Sequence, residues 1–129
     1  MSYLLKTEPS EYSFEDLQRE GRTRWDGVRN PLAQRYISCM RVGDLCFIYH
    51  TGRVRAVVGT AKVASEPYRD EKGLWVVDIT PEQRLKKPVV LDILKKEPSF
   101  EDSLLLRMGR LSVVPLTREQ VKRILELSQ

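Results

Sequence analysis

Trp25 stands in a polar, glycine-containing loop, Thr23-Arg24-Trp25-Asp26-Gly27-Val28, with no helical or strand periodicity to carry it into a core. Arg22, Arg24 and Arg29 flank it. A flat indole among guanidinium groups suits a nucleobase: the ring stacks on the base, for about 1–3 kcal/mol, and the arginines hold its phosphates. The same indole can instead fold back and plug a sheet. His50, the only histidine, follows Tyr49 where a strand enters a turn. There it can reach a base edge or a phosphate, or cap backbone. Asn30, just before Pro31, reads first as a helix cap and second as a base reader, and the helix start beside it suits an anion.

Catalytic patterns are missing. A single histidine, with no cysteine pair at ligand spacing, argues against zinc. Neither glycine-rich phosphate motif occurs, so no nucleotide cofactor is expected. The serine nucleophile motif is absent too. Cys46 and His50 share a strand face, but four residues span roughly 13 Å, too far for a hydrogen bond. The acid–base candidates are His50, Asp26 and Glu8.

The charge is concentrated. Between Arg22 and Arg55 stand seven arginines against two acids, Asp26 and Asp44, in a chain of net charge +4. Arginine is the cation suited to bidentate phosphate contacts and to stacking. The chain of 129 residues reads as one domain, 1–129. No apolar run approaches the roughly 20 residues of a membrane span, and the first residues read as a strand rather than a signal peptide. Cys39 and Cys46 sit in apolar company and read as reduced, buried thiols of a cytoplasmic protein.

The elements that must position these residues are short. Tyr3 to Lys6 reads as a strand. Ser13 and Asp16 form a capping box with Tyr12 and Leu17 as its staple, and Gly21 ends that helix. A second helix runs from Asn30 to about Met40. Strands follow at Asp44–His50, Val54–Ser65 (with a bulge or bend at Gly59) and Gly73–Thr80, where Trp75 reads as core. Val89 to Leu91 extends the sheet. Leu91–Lys96 and Ser99–Met108 read as helical, Leu111–Pro115 as a last strand. Thr117 and Gln120 cap a final helix that buries Val121, Ile124 and Leu125. Without a regular βαβ repeat, the pattern predicts an α+β fold: a curved sheet with short helices around it.

Four runs then resemble one family. They are Leu4-Leu5-Lys6-Thr7-Glu8-Pro9-Ser10, Trp25-Asp26-Gly27-Val28-Arg29-Asn30, Phe47-Ile48-Tyr49-His50-Thr51 and Arg110-Leu111-Ser112-Val113-Val114-Pro115-Leu116. In this order they are similar to the EVE domain family, over nearly the whole chain. The resemblance implies a PUA-like fold, a pseudo-barrel sheet related to the YTH readers of methylated adenine in RNA. It implies a non-enzymatic reader of a modified nucleobase, a modified cytosine in DNA or a modified RNA base, taken from the stack into an aromatic-lined pocket. Trp25 would be a wall, with Val28 and the Gly27 backbone as floor. Arg29 and Asn30 would serve base edge or phosphate. Lys6, Thr7 and Ser10 would border the cavity, Tyr49 and His50 line its far side, and Arg110, Leu111 and Ser112 close it. Where the family commonly has Tyr after Val-Arg-Asn, this chain has Pro31. The partner would be nucleic acid carrying the modified base, with a partner enzyme supplying any reaction and no membrane or metal involved. Two other readings stand beside it: an enzyme acting on a base in the same pocket, and a module for a small molecule or an acidic protein.

Overall fold

The computed structural model describes residues 1–129. Strand β1 spans Ser2–Thr7, β2 Thr23–Trp25, β3 Leu45–His50, β4 Ala56–Val63, β5 Tyr68–Arg69, β6 Trp75–Val90 and β7 Val113–Leu116. The helices are α1 Phe14–Glu20, α2 Pro31–Ser38, α3 Leu91–Leu94, α4 Leu104–Arg107 and α5 Arg118–Leu127. Six strands lie in the order β2-β6-β4-β3-β1-β7, and β5 pairs with β6. Only β1 and β3 run parallel. The sheet curls into a half-barrel, the α+β, PUA-like form expected.

Local chemistry explains the ends of the elements. Ser13 Oγ accepts from the Asp16 N–H, and Asp16 accepts from the Ser13 N–H, so both halves of the capping box form. The same reciprocal pair links Thr117 and Gln120 at α5. Asn30 Oδ1 accepts from the Leu32 and Ala33 N–H groups at 2.9 and 3.1 Å, and Pro31 opens α2. The bend at Gly59 is real. Pairing shifts register between Val57 and Gly59, and the Phe14 ring fills the space where a side chain would stand.

One core cluster of 31 residues lies between the curled sheet and the helices. β1, β3 and β4 supply twelve of them, including Leu4, Leu5, Phe47, Ile48, Val57 and Ala61, all essentially inaccessible. This burial on both faces is why those strands read as near-continuous apolar runs. No helix is long and apolar enough to cross a membrane.

Several expectations are corrected. Thr23–Trp25 is an edge strand on β6, not a loop. β6 runs unbroken through Pro81 and Pro88, where the sequence suggested two separate pieces. Gly59 pairs with Arg84 and Val57 with Val89, so β6 bulges outward between them, and the charged run there is solvated. Ser99–Met108 divides into a 3-10 turn, Pro98–Phe100, and α4, because Ser103 starts a new cap on the Leu105 N–H. α2 ends at Ser38 rather than Met40. Cys39 is exposed, since it caps the end of α2 beyond the buried face; Cys46 is buried, which pushes its thiol up to about 12. Leu125 is exposed while Ile124 is buried. Trp75 is half-buried, because β6 is flanked there by the two-residue β5, whose Arg69 guanidinium lies 4.5 Å over its ring.

Candidate nucleic-acid interface

β1 and β2 approach each other across a cavity of about 600 Å³, the size class of small-ligand sites. Lys6, Thr7 and Glu8 form its sheet side, joined by Ser112 from the segment before β7. The opposite side is Thr23 to Val28, and Glu11 and Tyr12 close one end. Gly27 turns this segment with φ +75°, a left-handed backbone that favours glycine.

Trp25 is buried to 7% exposure yet still lines this cavity. Both readings of its sequence context are therefore realised: it plugs the sheet and keeps part of its surface toward the cavity. Tyr12 meets it edge-on, with ring centroids 6.2 Å apart and planes at 77°, a favoured aromatic geometry. The Tyr12 hydroxyl donates to Glu20 Oε1. Burial, reinforced by that carboxylate, pushes the phenol up to about 12, so it stays protonated. Tyr12 read as a helix staple in the sequence, and only the curl of the sheet brings it to Trp25.

Beyond the pairing of β2 with β6, one side chain ties down the segment opposite β1. Gln34, on α2, donates to the Val28 carbonyl at 2.8 Å and to the Trp75 carbonyl at 3.0 Å, and accepts from the Trp75 N–H at 2.7 Å. It ties the loop after β2 to the start of β6. No sequence motif marks it: Gln34 sits half-buried on α2, and its role exists only once α2 is docked.

Lys6, Thr7, Trp25, Val28 and Ser112 thus line one cavity, with Gly27 among them. Tyr49 lines a smaller neighbouring cavity of about 190 Å³ that shares Lys6. The Lys6 ammonium lies 5.8 Å from the Tyr49 ring centre and donates to the Gly109 carbonyl at 2.9 Å. Burial lowers the Lys6 pKa.

Six residues stand apart from both cavities. His50 is buried, and its Nε2 accepts from the Phe14 N–H at 3.0 Å. It serves the start of α1, the capping alternative of the sequence reading. Asn30 is committed to its helix cap. Ser10 donates to Glu8 Oε2 through backbone and hydroxyl, at 2.8 and 3.1 Å. Leu111 is core, while Arg29 and Arg110 point to solvent. Arg24 does line the cavity, but Asp26 at 3.0 Å and Glu71 at 3.2 Å occupy its guanidinium.

Comparison with known proteins places this geometry. Rat thymocyte nuclear protein 1 is 29% identical over 98% of this chain and 73% of its own length. A Rhodopseudomonas palustris protein solved by NMR is 36% identical, with a TM-score of 0.92 over 98% of this chain and 92% of that one. The human THYN1 protein, crystallised in complex with 5-methylcytosine-containing DNA, is 25% identical, with a TM-score of 0.91 over 99% of this chain and 97% of that one. A family model described as the EVE domain matches residues 2–127, so the chain belongs to the EVE domain family.

Proposed function

We propose that this chain reads a modified base in nucleic acid, with 5-methylcytosine in DNA as its first candidate, and that it does so without catalysis. The carrying observation is the cavity walled by Tyr12 and Trp25 between β1 and β2. The likeness to human THYN1, seen with 5-methylcytosine-containing DNA, supports the choice of base. An extruded base would lie against the exposed part of the indole, with Tyr12 at its edge and Val28 beneath. Leaving the stack costs a few kcal/mol, and stacking in the cavity offsets that cost. Thr7, Ser112 and the acids of the rim would meet the base edge. Glu and Asp are apt acceptors for the exocyclic amine of cytosine. A partner enzyme would convert recognition into an outcome. The free thiols of Cys39 and Cys46 suit a reducing compartment such as the cytoplasm.

The test is fluorescence anisotropy of short labelled duplexes carrying one central 5-methylcytosine or cytosine. Wild type should bind the methylated duplex more tightly. Tyr12→Ala, which removes a half-buried ring, and Trp25→Ala should each reduce that preference toward unity. Trp25→Ala also costs stability, so Tyr12→Ala, checked by its melting curve, is the deciding variant. Unchanged preference in a folded Tyr12→Ala protein would move the base out of this cavity.

A further inference from the structure

The cavity that suits a base does not suit its phosphates. Three carboxylates line it, Glu8, Glu11 and Asp26, against two cations, Lys6 and Arg24. Arg24 is already neutralised by Asp26 and Glu71. A phosphodiester is repelled by such a rim. Nucleic-acid affinity nevertheless comes largely from phosphate contacts.

Cations without carboxylate partners lie next door. Lys6 lines the base cavity and also the smaller one beside it. That smaller cavity shares Gly52, Arg55 and Leu91 with an open groove of about 520 Å³, to which Arg53 is added. Along this run three cations, Lys6, Arg53 and Arg55, face two carboxylates: Asp92, which has Lys95 at 3.9 Å, and Glu8, whose Oε1 stands where a Gly52 side chain would begin. Lys6 is half-buried, and the one hydrogen bond of its ammonium goes to a neutral carbonyl. Arg55 adopts φ +48°, the only non-glycine residue with a left-handed backbone. Such a conformation persists only where its surroundings hold it. Its Nε donates to the Gly52 carbonyl at 3.3 Å, which fixes the stem and leaves the terminal nitrogens without a protein partner.

Resting on the base-reader proposal, we infer that the run from Lys6 across Arg55 to Arg53 is a phosphate track, separate from the base cavity, that grips the phosphodiesters beside the extruded base. Acids outnumber cations in the base cavity and cations outnumber acids along the run, which sorts base from backbone. Lys6 stands at the junction, where the chain must pass from cavity to groove. The track reads no sequence. It sets affinity, and the cavity sets preference.

The experiment uses the whole chain and two 12-base-pair duplexes (length of about one helical turn), one with a single 5-methylcytosine and one without, across a series of KCl concentrations. Each lost phosphate contact removes roughly 0.9 from the slope of log affinity against log salt. Arg53→Gln with Arg55→Gln should therefore weaken binding to both duplexes alike, flatten the slope by about two, and leave their ratio unchanged. Lys6→Gln should flatten the slope by about one. A matched control, Lys86→Gln with Lys87→Gln on the solvated bulge of β6, should leave the slope as it is. An unchanged slope in the arginine variant, with wild-type binding intact, overturns the track alone. A changed ratio with an unchanged slope also overturns it, since the arginines would then serve the base. Failure of wild type to bind either duplex overturns the base reader and the track together.

Discussion

The centre of the sheet and the segment from Thr23 to Asn30 are fixed in opposite ways. In the centre, β3 pairs on both sides, with β1 and β4, and its side chains are buried on both faces. Position there is determined many times over. The segment opposite has one strand neighbour, β6, for three residues, and then a left-handed glycine, a Gln34 clamp and an Asn30 cap. Position here depends on a few specific contacts. The end of β1, which pairs with β3, supplies one wall of the cavity, so that wall is rigid by packing and the other is placed by hydrogen bonds. Binding surfaces carried on such a lightly held wall can be tuned without disturbing the fold.

The sharpest way to break the packed region is Gly59→Ala. A Cβ there would stand 2.4 Å from the Phe14 ring. Overpacking of this kind costs about 1–3 kcal/mol, read as a lower urea midpoint. Phe14→Leu in the same chain should recover part of the loss, because the two changes share one space. Additive losses would mean that the strand, not the ring, is the obstacle.

The lightly held wall should respond differently. Gln34→Leu keeps the volume but strips partners from the Val28 carbonyl and from both the N–H and the carbonyl of Trp75. The half-buried site gives some of these groups access to water, so the loss should be about 1–2 kcal/mol. The informative readout is binding: preference for the methylated duplex should fall in Gln34→Leu and persist in Gly59→Ala protein that is folded at lower temperature. Equal effects on preference would erase the distinction between the walls.

This division also explains what the sequence made legible. Helix starts at Ser13, Asn30 and Thr117 were readable because a cap is chemistry among neighbours in sequence. β3 and β4 were readable because burial on both faces writes an unbroken apolar run. The strand at Thr23–Trp25 was not, since an edge of three residues has no period to detect. The full length of β6 was hidden by Pro81, Pro88 and a charged run that the bulge exposes. In the cavity, Trp25 and the β1 residues were marked by composition and by motif. Tyr12 and Gln34 were not, because their roles exist only after the sheet curls and α2 docks. The arginine count pointed to phosphate binding, but only the structure separates Arg24, spent on Asp26 and Glu71, from Arg53 and Arg55.

His50 yields the smallest effect and the cleanest separation of the two regions. Burial holds its pKa below the ordinary 6.5, with Glu15 opposing that shift and Arg84 favouring it. Its Nε2 accepts the Phe14 N–H, which only a ring unprotonated at that atom can do. The unfolded chain takes up a proton near pH 6.5 while the folded chain resists it. Stability should therefore fall as pH drops through about 6.5, level off below the folded pKa, and carry no contribution from His50 well above 6.5. One proton limits the slope to about 1.4 kcal/mol per pH unit. His50→Gln preserves an acceptor and cannot titrate, so urea midpoints between about pH 7.5 and pH 5.5 should be flatter than in wild type. The same variant should keep its preference for the methylated duplex, because His50 does not line the cavity. A lost preference with unchanged pH dependence would return His50 to the base and take it from the helix start.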